Sequence, residues 1–348
     1  ITITKGRKMN TLKKIAFSIL ASVFVFANAN AGELSVTGAA KATYTVISVD
    51  GSSTDHDTGK GIGIANEFTL SASGELDNGW TWSMNQDIDG ATVQDDKSIV
   101  LGMGGMGSFK INISDGGLAK NFGSSQSVYG TPVDNGEGGS YTDAADTGAM
   151  HSIRYTTPSG LPMDAVIAVQ YAPYTGTNDN NSSNSAGVLD AGGNEDAIEY
   201  SISATPIEGL NVGVSYYDPD DSATAQQEEG GAYFATYALG SVSIGYGKSY
   251  QAESIDPGAG ATTEYHDNTQ MSVAFNVNDS LSVSYEDIES LRANTTSASD
   301  VTMDVTSAQV SYTVAGMTLS LSNEEYDNHD YTSGNKMKET NLAMVIAF

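Results

Sequence analysis

The sequence predicts an all-β chain, a transmembrane antiparallel β-barrel of sixteen strands, and three features lead there. Between Gly32 and Phe348, apolar residues recur at every second position over short segments, which is the mark of a strand with two unlike faces. These segments follow one another without helical interludes, and successive strands must close their sheet or leave unpaired edges. The connections alternate between tight hairpins and longer polar loops, the asymmetry of a barrel with short turns at one membrane surface and long loops at the other.

Ahead of the barrel, the segment from Met9 carries Lys13 and Lys14, an apolar run from Ile15 to Ala27, and the small-x-small site Ala29-Asn30-Ala31. Residues 9–31 are therefore expected to be a secretory signal peptide cleaved after Ala31. The run is too short to cross a bilayer as a helix, which needs about 20 apolar residues. Residues 1–8 precede the methionine. Their Lys5-Gly6-Arg7-Lys8 is what a purine-rich ribosome-binding site would encode if read in frame, so they are expected to be an upstream translation artefact.

In residues 32–348, apolar alternation marks sixteen strands beginning near Glu33, Gly61, Gly79, Lys97, Gly107, Met150, Met163, Asp196, Leu210, Gly230, Ser241, Asp267, Leu281, Asp304, Met317 and Glu339. Seven tight turns join alternate pairs: Leu76–Gly79, Gly104–Gly107, Pro158–Pro162, Pro206–Gly209, Leu239–Gly240, Asn278–Ser280 and Ala315–Gly316. Each holds Gly, Pro, Asn or Asp where the chain must reverse. The apolar face includes Leu34, Val36 and Tyr44; Ile62 and Ile64; Ile99, Leu101 and Met103; Phe109, Ile111 and Ile113; Leu281, Val283 and Tyr285; and Leu342, Met344, Ile346 and Phe348. The opposite faces carry Ser, Thr, Asn, Gln and a few charges, as a water-filled bore requires.

Composition narrows the function. The chain has 15 Lys and Arg against 43 Asp and Glu. Five of those cations and none of the acids lie in residues 1–31, leaving a mature net charge of −33. Nucleic acid is excluded as a partner, since phosphate binding needs clustered Lys and Arg, and cations are attracted. With no cysteine there is neither a disulfide framework nor a thiolate metal site. His56, His151, His266 and His329 show no metal-ligand spacing. Nothing singles out a nucleophile, so neither a cofactor nor an enzymatic activity is expected. The acidic stretches Asp87-Ile88-Asp89-Gly90 with Asp95-Asp96, and Asp218-Pro219-Asp220-Asp221, offer hard oxygen ligands that could bridge lipopolysaccharide through divalent ions.

From Gly32-Glu33-Leu34-Ser35-Val36-Thr37-Gly38 to the closing Phe348, the chain resembles the general bacterial porins, the sixteen-stranded trimeric diffusion channels of Gram-negative outer membranes. The resemblance implies a homotrimer, a terminal aromatic strand in which Phe348 is the signal to the barrel-assembly machinery, and an outsized third loop folded into the lumen. Of the acidic-Phe-Gly-Gly element that often opens that loop, only Asn121-Phe122-Gly123 is present.

Asp115 to Ala149 is 35 residues long, beyond the roughly 12–15 of an ordinary structureless connection. It carries Asp115, Asp134, Glu137, Asp143 and Asp146 against one cation, Lys120. With the resemblance, these acids become the acidic side of a pore constriction; the competing reading is a solvated external flap. By alternation Lys41, Lys110 and Arg154 point inward as the basic wall, since a cation facing mid-bilayer lipid costs about 2–4 kcal/mol. Glu67, Glu199 and Glu286 face inward as wall acids. The expected function is passive diffusion of ions and small hydrophilic solutes with cation preference. The alternatives are a surface adhesin-like barrel with a plugged lumen and a solute-specific channel. The exported protein is expected to begin at Gly32, and an intact mass that retains residues 1–8 would overturn the reading of the amino terminus.

Overall fold

A computed structural model describes residues 33–51, 56–88, 96–114, 116–132, 141–148, 150–173, 196–220, 223, 225–256 and 263–348. Sixteen strands account for most of them: β1 Glu33–Asp50, β2 His56–Glu75, β3 Thr81–Ile88, β4 Lys97–Gly102, β5 Ser108–Ile113, β6 His151–Thr156, β7 Val166–Ala172, β8 Ala197–Ile207, β9 Leu210–Pro219, β10 Glu229–Leu239, β11 Val242–Ala252, β12 Thr263–Asn278, β13 Leu281–Asn294, β14 Val301–Val314, β15 Met317–Asp327 and β16 Lys336–Ala347. Every strand pairs antiparallel with its sequence neighbours, and β1 pairs with β16 to close the barrel. The seam ends where Gly38 and Phe348 exchange backbone hydrogen bonds of 3.1 and 3.0 Å.

All seven predicted tight turns lie at one rim, together with both ends of the described barrel. Six of them contain a glycine at positive φ, which an L side chain rarely adopts. At Gly107 the demand is double, because a Cβ would also strike the Thr156 carbonyl oxygen. The seventh turn solves the problem differently: the Asn278 side-chain oxygen accepts from the amides of Ser280 and Leu281 at 2.9 and 3.1 Å, an Asx turn.

Several strands run past the ends of their apolar pattern. β2 starts at His56 rather than Gly61, pairing with β1 as far as Asp50↔His56, and β14 starts at Val301 rather than Asp304. The backbone ladder needs only N–H and C=O groups, so polar residues extend it above the apolar band without leaving an alternation to read.

The outer wall is apolar and open to its surroundings. Leu34, Ile62 and Ile64 are 73, 82 and 79% exposed, and Tyr216, Tyr285, Tyr312, Leu342 and Ile346 share that face. Met103 and Phe109, assigned to the same face, are instead buried. Met103 lies beyond the end of β4, at the turn, and the Phe109 ring packs on Tyr155 with centroids 5.3 Å apart. Toward the long-loop rim the outer face turns polar, with Lys336–Asp327 and Lys338–Glu325 pairs of 2.6 and 2.7 Å.

The inner wall departs from a uniformly wet lining. Ile288, Met303, Val305, Tyr326 and Met337 point inward near the long-loop rim and form a buried cluster with Tyr141 and Tyr331. Tyr141 belongs to the third loop and Tyr331 to the β15–β16 loop, so both loops fold back into the barrel mouth and bring their own dry face. Because alternation sets which side chains meet lipid, Val283→Arg on the outer face of β13 is expected to cost about 2–4 kcal/mol, measurable as a lower urea midpoint for refolding into lipid vesicles.

Candidate functional site

Residues 114–150 join β5 to β6, and the described stretches 116–132 and 141–148 lie against the inner wall. The loop root is held by Arg154 of β6, whose Nη2 donates to the carbonyls of Gly116 and Gly117 at 2.7 and 2.9 Å. Its Nε donates to Gln170 Oε1 at 2.5 Å, and Gln170 in turn donates to Gly116 at 3.2 Å. The Lys120 amide then donates to Ser215 of β9 at 3.0 Å. A single 3-10 turn, Asn121–Ser124, crosses β10 to β12, where Ser272 Oγ donates to the Ser124 carbonyl at 2.5 Å and the Ser124 hydroxyl donates to Gln270.

This close approach is built into the wall. Any side chain at Gly245 would run into the Ser124 carbonyl, and one at Gly247 into the Ser124 side chain; Gly123 itself lies on the Phe234 ring of β10. Glycines at alternate positions of β11 thus leave a smooth trough for another backbone.

Beyond the turn, Ser125 and Ser127 donate to Glu286 of β13, the first at 2.8 Å. The Val128 amide donates to Ser284 at 3.0 Å and the Tyr129 amide to Gln309 Oε1 of β14 at 3.0 Å. Gln309 returns a bond to Gly130 at 2.7 Å, and Tyr326 of β15 reaches the Pro132 carbonyl at 3.3 Å. The returning limb is docked too. The Thr142 amide donates to Tyr331 Oη at 3.0 Å while Asn268 donates to the Thr142 carbonyl at 2.9 Å, Ser249 donates to Asp143 at 2.5 Å, and Thr147 donates to Glu199 of β8 through its amide and hydroxyl at 3.2 and 2.8 Å.

The charged residues named from sequence therefore have unequal fates. Glu199 and Glu286 lie on the inner wall but are 0 and 1% exposed, because the loop covers them and uses them as acceptors; neither is an open pore-wall acid. Arg154 is likewise a clamp on the loop root. Lys110 is its register partner on β5, so two cations stand side by side there. Lys41 lies across the bore on β1 with its ammonium 5.6 Å from the Tyr129 ring centroid. Asp143 and Asp146 are half-buried within the loop. Asp115, Asp134 and Glu137 lie outside the described residues, as does the side chain of Glu67.

Burial acts on the loop's titratable groups. It pushes the Asp146 carboxyl above the usual aspartate range, with the Gly148 amide and the Arg154 charge working against the shift. It lowers the Lys120 ammonium, helped by nearby Arg154 and opposed by Glu199. Tyr129 is raised first by burial and then by the Glu324 and Glu339 carboxylates. Among the described residues, no three His, Cys, Asp or Glu side chains gather as a metal-binding group.

Sequence reasoning weighted charges and passed over the neutral hydrogen-bonding side chains that fasten the loop: Gln170, Ser215, Ser249, Asn268, Gln270, Ser284 and Gln309. The one legible signal was Gly245-x-Gly247, two inward glycines in an otherwise regular strand.

A closed sixteen-strand barrel, apolar outside, polar over much of its inner wall, with its third loop folded in, is the porin fold. Solved structures carry the same architecture. A porin aligns with a TM-score of 0.60 at 14% identity, covering 91% of this chain and all of that one. OmpF of Salmonella typhi, in complex with daunomycin, aligns at 0.57 and 12%, covering 91 and 98%. In-vitro-folded OmpT of Vibrio cholerae, in its trimer form, aligns at 0.56 and 11%, covering 92 and 100%. No protein-family model matches the sequence, and no curated protein matches it either, so the likeness is one of fold.

Gly245→Val tests the docking directly. Overpacking against Ser124 is expected to cost about 1–3 kcal/mol and to free the loop, read as faster protease cleavage within residues 116–132 while the barrel stays resistant.

Proposed function

We propose that the protein is an outer-membrane channel, exported with cleavage of residues 9–31, through which ions and small hydrophilic solutes diffuse passively. One observation supports this reading above the others: the third loop is fastened along the inner wall from β7 to β15, so it narrows a wide bore at a defined level. The driving force is the solute gradient, with no chemical step and no cofactor. Selection is by size first, then by charge. The acids of residues 115–149, including Asp115, Asp134, Glu137, Asp143 and Asp146, are proposed to outweigh Lys41 and Lys110 and favour cations, because charge effects strengthen in a narrow gap between low-dielectric walls.

A homotrimer in lipid and lipopolysaccharide is part of the proposal, supported by the trimer form of the structurally similar OmpT, as is recognition of Phe348 by the assembly machinery. Contact with lipopolysaccharide is proposed at the long-loop rim, where Glu289, Asp304 and Asp327 stand side by side in register on the outer face and divalent ions would bridge them to anionic head groups.

Purified protein in a planar bilayer is expected to give steady open-channel steps, and in a salt gradient the dilute side is expected to turn positive. The opposite sign would reject the cation preference. A barrel that inserts yet never conducts would reject the channel in favour of a plugged surface protein.

A further inference from the structure

The Tyr129 amide is held by Gln309 of β14 while its ring lies by Lys41 of β1, and on β15 and β16, the two strands between them, the inner wall presents a compact set of oxygen ligands. Glu324 and Glu339 are register partners across the two strands, and Ser322 and Asn341 are partners one row below. Period-2 alternation therefore points all four side chains into the barrel, and directly opposed residues stand close enough to share one ligand. All four are 2% exposed or less. Of these oxygens, Ser322 Oγ is fully buried with no hydrogen-bond partner, and the Tyr129 hydroxyl is also buried without one. A buried hydroxyl left unsatisfied costs stability unless something fills the place beside it.

We propose that Glu324 and Glu339 hold one hard divalent cation of the calcium type, with Ser322, Asn341 and Tyr129 completing the oxygen shell. The donor chemistry suits that ion class: two carboxylates for charge, and an amide carbonyl and hydroxyls as neutral ligands. The site ties the third loop, through Tyr129, to the two strands next to the β1–β16 seam. It is separate from conduction, and stands or falls whether or not the bore passes ions.

Tyr129, and Tyr326, whose hydroxyl lies 3.2 Å from Glu324, provide the readout, because tyrosine excitation sensitises bound terbium. Detergent-refolded protein, stripped with chelator and titrated with TbCl3, is expected to give saturable emission that CaCl2 competes away. Glu324→Gln combined with Glu339→Gln is expected to weaken terbium binding roughly tenfold or more. Glu325→Gln, on the outer face of the same strand, is expected to leave it unchanged. Ser322→Ala, which removes one hydroxyl and no charge, is expected to weaken binding severalfold and serves if the double variant does not assemble into a heat-modifiable barrel. Emission of unchanged affinity in the double variant or in Ser322→Ala would overturn the proposal. So would the absence of calcium-competed emission in the parent protein.

Discussion

In a bilayer, no water is available to the backbone, so each N–H and C=O must find its partner within the protein. A chain of short strands can meet that demand only by closing its sheet, and the hydrogen bonds between Gly38 and Phe348 complete the circle. Closure imposes the two-sided alternation. It also frees the inner face from any need to be apolar, which is why a chain with 43 acidic residues can still fold.

That freedom is spent largely on holding one loop. Among its described residues the third loop has no regular secondary structure beyond a single 3-10 turn, Asn121–Ser124, so most of its backbone groups need partners from the wall. Inward Ser, Asn, Gln and Glu side chains on the strands supply the partners. Glu286 accepts from two loop serines and from Gln270, and Glu199 accepts from Thr147. These carboxylates are structural acceptors first. Lys41 and Lys110 on the wall and Asp143 and Asp146 of the loop are less deeply covered. Near the long-loop rim the same principle acts with apolar groups, and Tyr141 and Tyr331 seal against Ile288, Met303, Val305 and Met337.

Much of the fold was legible because its rules are local. Alternation identified the lipid face of β13 through Leu281, Val283 and Tyr285, and turn chemistry located every short connection, down to Asn278-Asp279-Ser280. Where strands outran their pattern, as at His56–Lys60 of β2, the ladder was carried by backbone groups that leave no mark in side-chain type. Phe109 shows the limit of parity: it keeps the outward side of β5 yet is buried by Tyr155, a neighbour supplied by pairing with β6. The candidate site was legible only in outline. The length of the connection after Ile113 and the parity of Arg154, Glu199 and Glu286 could be read, but their partners in the loop lie 37 to 161 residues away in the chain.

Taken by itself, the sequence determined strand number, strand order, which face meets lipid, and the presence of one loop too long to be a simple connection, because each depends on spacing between near neighbours. Only the tertiary structure decided where that loop lies, which inward charges it buries, and that Glu324 and Glu339 stand together near Tyr129. Those outcomes depend on which distant strands curve around to the same place, and the closed cylinder sets that proximity through register and curvature, quantities that no short stretch of residues contains.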